Sequence, residues 1–307
     1  MKKFITLLAT ALLAVLPLSA RTVADPELGA KSETKEYKLN NFTGLDVSWI
    51  YQVELTQAPR HAVRVEAPDF LMPFVSVEVR NGILVLGVGD LPRDIRRRVE
   101  NGGRNQVRVY VSMPDLTVLR MSGASKLTAK GDFSSRRDFE LRLSGATNAQ
   151  GLSVRASGAD IETSGAAKFD LAGKFDKLSV LGSGSVNGTI AADVKTVELR
   201  LSGATKLSLS GKYSDVTLRG SGAANTELIG SVEDLDAECS GAAKLSANQA
   251  PARRAKIFFS GAANGMIEVR DELSVSLSGA SKLNYHPGPS LRIKNQSVSR
   301  ASTLSSY

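Results

Sequence analysis

Few side chains in this sequence are suited to chemistry. Two histidines, His61 and His286, and a single cysteine, Cys239, are too few for a histidine/cysteine zinc site, and they argue against a thiol–imidazole enzyme. Acids are plentiful. Asp132, Asp170, Asp176, Asp193, Asp215, Glu233 and Asp234 nevertheless fall at scattered positions of an internal repeat, so they read as solvated corner charges. A polysaccharide lyase or hydrolase needs carboxylates converging on one face, with a base or calcium ligands. The calcium-binding Gly-Gly-x-Gly-x-Asp nonapeptide is absent. The expectation is a protein that is not an enzyme, with no catalytic residues, no metal ligands and no cofactor.

The regularly spaced polar residues are cations and amides. Lys126, Asn148, Lys168, Asn187, Lys206, Asn225, Lys244, Asn264 and Lys282 alternate in type without exception. Such a stripe could bind an anionic glycan, or it could simply keep one sheet face soluble and unaggregated. A second basic cluster, Arg93, Arg96, Arg97 and Arg98 with Arg104, lies between Gly89 and Arg108. Its lack of apolar periodicity predicts an exposed loop. That loop is either merely solvated or a contact for acidic polysaccharide, lipid headgroups or another protein.

The elements that must position these residues follow from a repeat. Ser-Gly-Ala, once Ser-Gly-Ser, begins at Ser122, Ser144, Ser164, Ser183, Ser202, Ser221, Ser240, Ser260 and Ser278, at intervals close to 19 residues. A further copy at Ser157 is off this register and reads as a neighbouring corner. Three residues before each Ser lies an apolar residue, as at Leu119, Leu141, Ile161 and Val180, and polar residues mostly follow it. That is the period of two of a strand with one buried face. Each unit therefore reads strand, Ser-Gly-Ala corner, strand, second corner, with Gly131, Gly173, Gly211 and Gly230 at the second corner. Ser would hydrogen-bond across the stack and Ala would fill the tight inner bend.

A unit of this size is one rung of a parallel β-helix, an all-β solenoid. One repeat per rung alternates Lys with Asn along the stack and sets ammonium groups roughly 10 Å apart. Two repeats per rung would stack Lys on Lys, which repulsion disfavours. Five residues after each Ser, large and small side chains alternate from Leu127 and Ala149 to Gly265 and Leu283. Cys239 occupies a slot filled elsewhere by Met121, Leu143, Leu201 and Phe259, so a buried, inert thiol is expected.

The ends differ from the middle. Lys2 and Lys3 precede an apolar run from Phe4 to Leu18 and small residues at Ser19, Ala20 and Ala24. This is the layout of a cleavable export signal over residues 1–20, with cleavage after Ala20 or after Ala24 both open. No cysteine lies near the junction, so the protein is not expected to be a lipoprotein. Loss of Lys2 and Lys3 would lower the formal charge from +8 to about +6. No further stretch is apolar enough to span a membrane, and a mildly basic exported chain is not a nucleic-acid binder.

Residues 21–36 read as a flexible leader. Residues 37–115 read as a β region that either caps the rod or forms irregular early rungs, with strands over Val47–Leu55, Ala62–Glu66, Val75–Val79 and Ile83–Val88. Asn81-Gly82 predicts a tight hairpin turn. The β-helix repeats occupy 116–290. Tyr285-His286-Pro287-Gly288-Pro289 is expected to stop the last rung, and 291–307 to add a strand or tail.

Several segments together resemble the family called putative auto-transporter adhesin, head GIN domain. They are Phe42-Thr43-Gly44-Leu45-Asp46-Val47, Val53-Glu54-Leu55-Thr56-Gln57, Asn81-Gly82-Ile83-Leu84-Val85-Leu86, Val107-Arg108-Val109-Tyr110-Val111, the repeated Ser-Gly-Ala, and Leu283-Asn284-Tyr285-His286-Pro287-Gly288-Pro289. The resemblance covers roughly residues 37–290. It implies an exported bacterial β-helical protein, in the periplasm, at the outer surface or outside the cell, and it transfers no catalytic residues. Nothing after Tyr285 resembles the strands of a membrane β-barrel, so the resemblance does not extend to an auto-transporter proper. The expected role is adhesin-like binding of a glycan or another cell-surface ligand. The alternatives are a periplasmic structural or sensory protein and a carbohydrate-active enzyme. Expected partners are an anionic glycan or an envelope component.

Overall fold

The computed structural model describes residues 32–100 and 106–307. The expected export signal, both candidate cleavage junctions, the first part of the leader and Arg104 lie outside the described residues. The rest is a parallel β-solenoid of about 10 turns with rungs of about 19 residues.

The N-terminal part combines early rungs with a cap. β1 (Ser32–Tyr37), β2 (Gly44–Val47), β3 (Tyr51–Gln57) and β4 (Ala62–Pro68) are followed by a 3-10 turn at Met72–Phe74. Next come β5 (Val75–Arg80), β6 (Ile83–Val88), helix α1 (Arg93–Glu100) and β7 (Val107–Met113). β2 pairs in parallel with β6 and β3 with β7, so β6 and β7 form the rung that precedes β2 and β3 in space. Antiparallel strands then close the end. β5 lies on β6, β4 on β7 and β1 on β4.

Two expectations for this region are corrected. Residues 32–36 are not leader but belong, with Tyr37, to the edge strand β1, whose Ser-Glu-Thr-Lys-Glu sequence is exposed and polar, as suits a free edge. Val47–Leu55 is not one strand. Ser48, Trp49 and Ile50 form the first corner, between β2 and β3, and Asn81-Gly82 turns β5 into β6 with φ of 51° and 75°.

The regular rungs follow as β8 (Val118–Met121), β9 (Lys126–Lys130), β10 (Phe133–Ser134), β11 (Phe139–Leu143), β12 (Asn148–Arg155) and β13 (Gly158–Thr163). After them come β14 (Lys168–Gly182), β15 (Asn187–Leu201), β16 (Lys206–Gly220), β17 (Asn225–Cys239), β18 (Lys244–Phe259) and β19 (Asn264–Leu277). From β14 to β19 each strand runs through both faces of the rung. The predicted second corner is therefore a bend inside a continuous strand, and the off-register Ser157 sits at the same bend, between β12 and β13. Inward residues of both faces build one continuous core, including Leu141, Ile161, Val180, Leu199 and Leu218 in a single file.

The Pro287-Gly288-Pro289 segment does not stop the solenoid. β20 (Lys282–Pro287), β21 (Arg292–Val298) and β22 (Thr303–Ser306) continue it, with β21 parallel to β19 and β22 parallel to β20. The two prolines fall at the bend, where a missing N–H breaks little pairing.

Glycine is required at the tight corner by close approach as well as by φ. Gly203 has φ of 69°, and a Cβ there would lie 2.7 Å from the Gly184 carbonyl oxygen. The left-handed residue aims its Cβ position along the rod at the preceding rung, so each glycine makes room for the one before it. Trp49 holds the same place in the first corner at φ of 71°, with its own backbone beneath Gly123. No Ser-Gly-Ala corner precedes it, so a side chain fits there and packs against the core. Ala159 of the off-register copy is buried, but the Ala of each in-register Ser-Gly-Ala is exposed, contrary to its predicted inner role. The next residue, such as Ser125, Ala167 or Ala243, fills the bend.

Candidate functional site

The Lys/Asn stripe lies on one face, just after the tight corner. Backbone register pairs Lys168 with Asn187, Asn187 with Lys206, Lys206 with Asn225, and onward to Asn264 with Lys282. Lys126 and Asn148 join at the other end. One repeat is therefore one rung, and every lysine is separated from the next by an asparagine. All nine residues are exposed except Asn148, which is half-buried and whose Oδ1 has no hydrogen-bond partner among the described residues.

The alternation reaches inside the rod as well. Directly beneath the stripe, the residues after each stripe position stack as Leu127, Ala149, Phe169, Gly188, Leu207, Thr226, Leu245, Gly265 and Leu283. A Cβ on Gly188 would lie 2.5 Å from the Phe169 ring and 2.8 Å from Leu207 Cδ1, so the large side chains of flanking rungs fill the room that glycine leaves. Packing at crystal-like density then gives the solenoid a two-rung period, large with Lys and small with Asn.

The two faces handle charge differently. Among the described residues none of the five stripe lysines makes an ion pair, and the outward residues two further along each stripe strand are mostly uncharged, as at Thr128, Gln150, Thr189, Ser208, Ser246 and Asn284, with Asp170 and Glu227 the acids of this column. On the other face most cations are matched. Glu140 sits 2.9 Å from Arg120 and 3.1 Å from Arg142, Lys177 is 3.3 Å from Glu198, and Arg219 reaches Asp236 at 3.0 Å and Glu238 at 3.1 Å. Arg254 forks onto both oxygens of Asp234, and Lys294 is 2.8 Å from Glu272. The Arg254 hydrogen bond holds the Asp234 carboxyl below its ordinary range, with the nearby positive charge adding to it. Among the described residues, Arg200, Lys256 and Arg292 make no ion pair on this face.

Several acids expected to be scattered corner charges have defined places. Asp215, Asp234 and Asp236 line a shallow groove of about 480 Å³ on the ion-paired face, with Arg254, Lys256 and Glu272. Asp170 accepts from the Gly151 N–H at 2.6 Å, Asp193 from the Lys212 N–H at 2.9 Å, and Asp132 from the Ser153 hydroxyl at 2.6 Å. These hydrogen bonds fasten neighbouring rungs, the one to Asp170 on the lysine face itself. Three of the groove acids belong to an ion-pair network: Asp236 is tied to Arg219, Asp234 to Arg254 and Glu272 to Lys294.

The basic cluster is a helix and not a loop. Leu91, Ile95 and Val99 recur every fourth residue and pack against the core. This is a helical period that the arginines obscure. Arg98 stacks on the Phe70 ring at 3.8 Å. The helix lies between β6 and β7, where later rungs have their tight corner. Cys239 is buried as expected, 1% exposed, and burial, with Glu238 second, pushes its thiol up to about 12. His61 and His286 lie at opposite ends of the rod, against Phe42 and Tyr307.

The family model described as putative auto-transporter adhesin, head GIN domain, matches residues 41–193 and 175–289. A crystal structure of a putative adhesin from Parabacteroides merdae ATCC 43184 is 15% identical, with a TM-score of 0.45 over 91% of this chain and 97% of that one. A putative adhesin from Parabacteroides distasonis ATCC 8503 is 13% identical, with a TM-score of 0.47 over 91% of this chain and 98% of that one. A protein from the same organism, titled a putative lipid binding protein, is 13% identical, with a TM-score of 0.43 over the same shares. No curated protein matches the chain. Among the described residues no helix is long and apolar enough to cross a membrane.

Proposed function

Because the chain belongs to the family described as putative auto-transporter adhesin, head GIN domain, we propose that it is an exported, non-catalytic, adhesin-like protein that binds an anionic glycan or cell-surface ligand through its lysine face. The observation that carries this reading is the contrast between faces. The solenoid matches most of its cations with carboxylates on one side and leaves five consecutive stripe lysines unmatched on the other. Exposed ion pairs are each worth only about 0–1 kcal/mol, so pairing these lysines too would have added little stability. Leaving them open keeps the whole ladder available to an external polyanion. A rigid row of weak contacts engages such a ligand by multivalency, with no need for a deep pocket.

Replacing Lys126, Lys168, Lys206, Lys244 and Lys282 together by Gln tests this. Binding to acidic polysaccharide should fall steeply and the thermal midpoint should stay put. Unchanged binding would remove the stripe from the function.

A further inference from the structure

The stripe's chemistry repeats every two rungs. Stacked strands are about 4.8 Å apart, so the lysines recur at about 10 Å along the rod axis. Avoidance of repulsion alone does not select this pattern. Lys alternating with Glu or Asp would avoid it equally well and add ion pairs, the solution used across rungs on the opposite face. Asparagine instead offers a neutral donor and acceptor at each intermediate rung. The neighbouring outward column, Thr128, Gln150, Asp170, Thr189, Ser208, Glu227, Ser246, Met266 and Asn284, is mostly hydroxyl- and amide-bearing, interrupted by Met266 and by the carboxylates of Glu227 and of Asp170, which accepts from the Gly151 N–H. Two sugars of an extended β-linked polysaccharide advance by a closely similar distance.

We infer that the stripe recognises an extended anionic polysaccharide lying along the rod axis and carrying one acidic group on every second sugar, each acid meeting a lysine and each intervening sugar an asparagine. This rests on the proposed glycan-binding reading and sharpens it. The rigid backbone ladder fixes the phase, so ligand charges at the right spacing engage Lys126 to Lys282 together without either partner rearranging. An acid on every sugar would set every second charge opposite an amide.

A charge-conserving variant separates spacing from charge. Exchanging residue types at two neighbouring pairs, K168N with N187K and K206N with N225K, keeps five lysines but shifts two of them by one rung. All four positions are exposed, and the exchange brings lysines onto adjacent rungs only at 225 and 244, so the thermal midpoint should fall only slightly. The probes are hyaluronan oligosaccharides, with a carboxylate on every second sugar, polygalacturonate, with one on every sugar, and an uncharged β-glucan. The wild-type protein should prefer hyaluronan, and the exchange variant should lose about tenfold in affinity for it while polygalacturonate binding changes little. Equal hyaluronan binding by both proteins, or a wild-type preference for polygalacturonate, would overturn the spacing claim and leave the anionic-glycan reading standing. Binding of neither polyanion would overturn both.

Discussion

The stacked glycines make a prediction that the structure itself calibrates. Gly203 and Gly222 have nearly the same φ, 69° and 66°, yet differ in clearance. A Cβ at 203 would lie 2.7 Å from the preceding carbonyl oxygen, whereas at 222 the nearest approach is 3.1 Å. The left-handed conformation costs a non-glycine residue about 1–2 kcal/mol at either site. At 203 the clash must also push two rungs apart and stretch the Ala204 N–H bond to the Gly184 carbonyl, now 2.8 Å, which adds about 1 kcal/mol or more. Gly203→Ala should therefore destabilise by about 2–4 kcal/mol and Gly222→Ala by about 1–2 kcal/mol.

Long repeat arrays need not unfold in one step, so the assay is urea denaturation together with amide hydrogen exchange at the corner N–H groups. Gly203→Asn adds a useful contrast, because asparagine tolerates the left-handed region but keeps the clash. Equal losses for both alanine variants, or full tolerance of asparagine at 203, would show that backbone conformation alone selects glycine and would refute the close-approach argument.

Three further outcomes follow from the geometry. Gly188→Leu should destabilise by about 1–3 kcal/mol by overpacking against Phe169, and adding Phe169→Ala should recover part of the loss, measured as coupling in a double-mutant cycle. Cys239 should resist thiol reagents near neutral pH in the folded protein and react on unfolding, because burial suppresses its thiolate; rapid labelling of the native state would contradict this. Asp234, depressed by Arg254, should favour the fold above the ordinary carboxylate value of about 3.9 and lose that contribution as pH falls through its lower folded value. In Arg254→Gln an NMR titration should find Asp234 shifted back upward.

The solenoid was legible because its repeat is written in residues that geometry leaves little choice about. Gly203 and its counterparts mark each tight corner, and the regular Lys/Asn order on one face identified one repeat with one rung. What stayed hidden lies where side chains take over from repeat geometry. Trp49 disguised the first corner because a tryptophan stands where the later corners carry glycine. Four arginines masked the Leu91–Ile95–Val99 period of α1, since attention to charge hid an apolar spacing of four. Pro287 and Pro289 suggested termination, but a bend loses little when an N–H is missing. The groove on the ion-paired face needed the fold itself, because Asp215, Asp234 and Glu272 are distant in sequence and meet only through the rung register.

The most direct test of the adhesin-like account is where the rod is exposed. Tagged protein on intact and on permeabilised cells should be compared for protease cleavage and antibody access. The account predicts access on intact cells, with the lysine face open to external polyanions. Protection until permeabilisation would contradict it and point to a periplasmic scaffold or sensor instead.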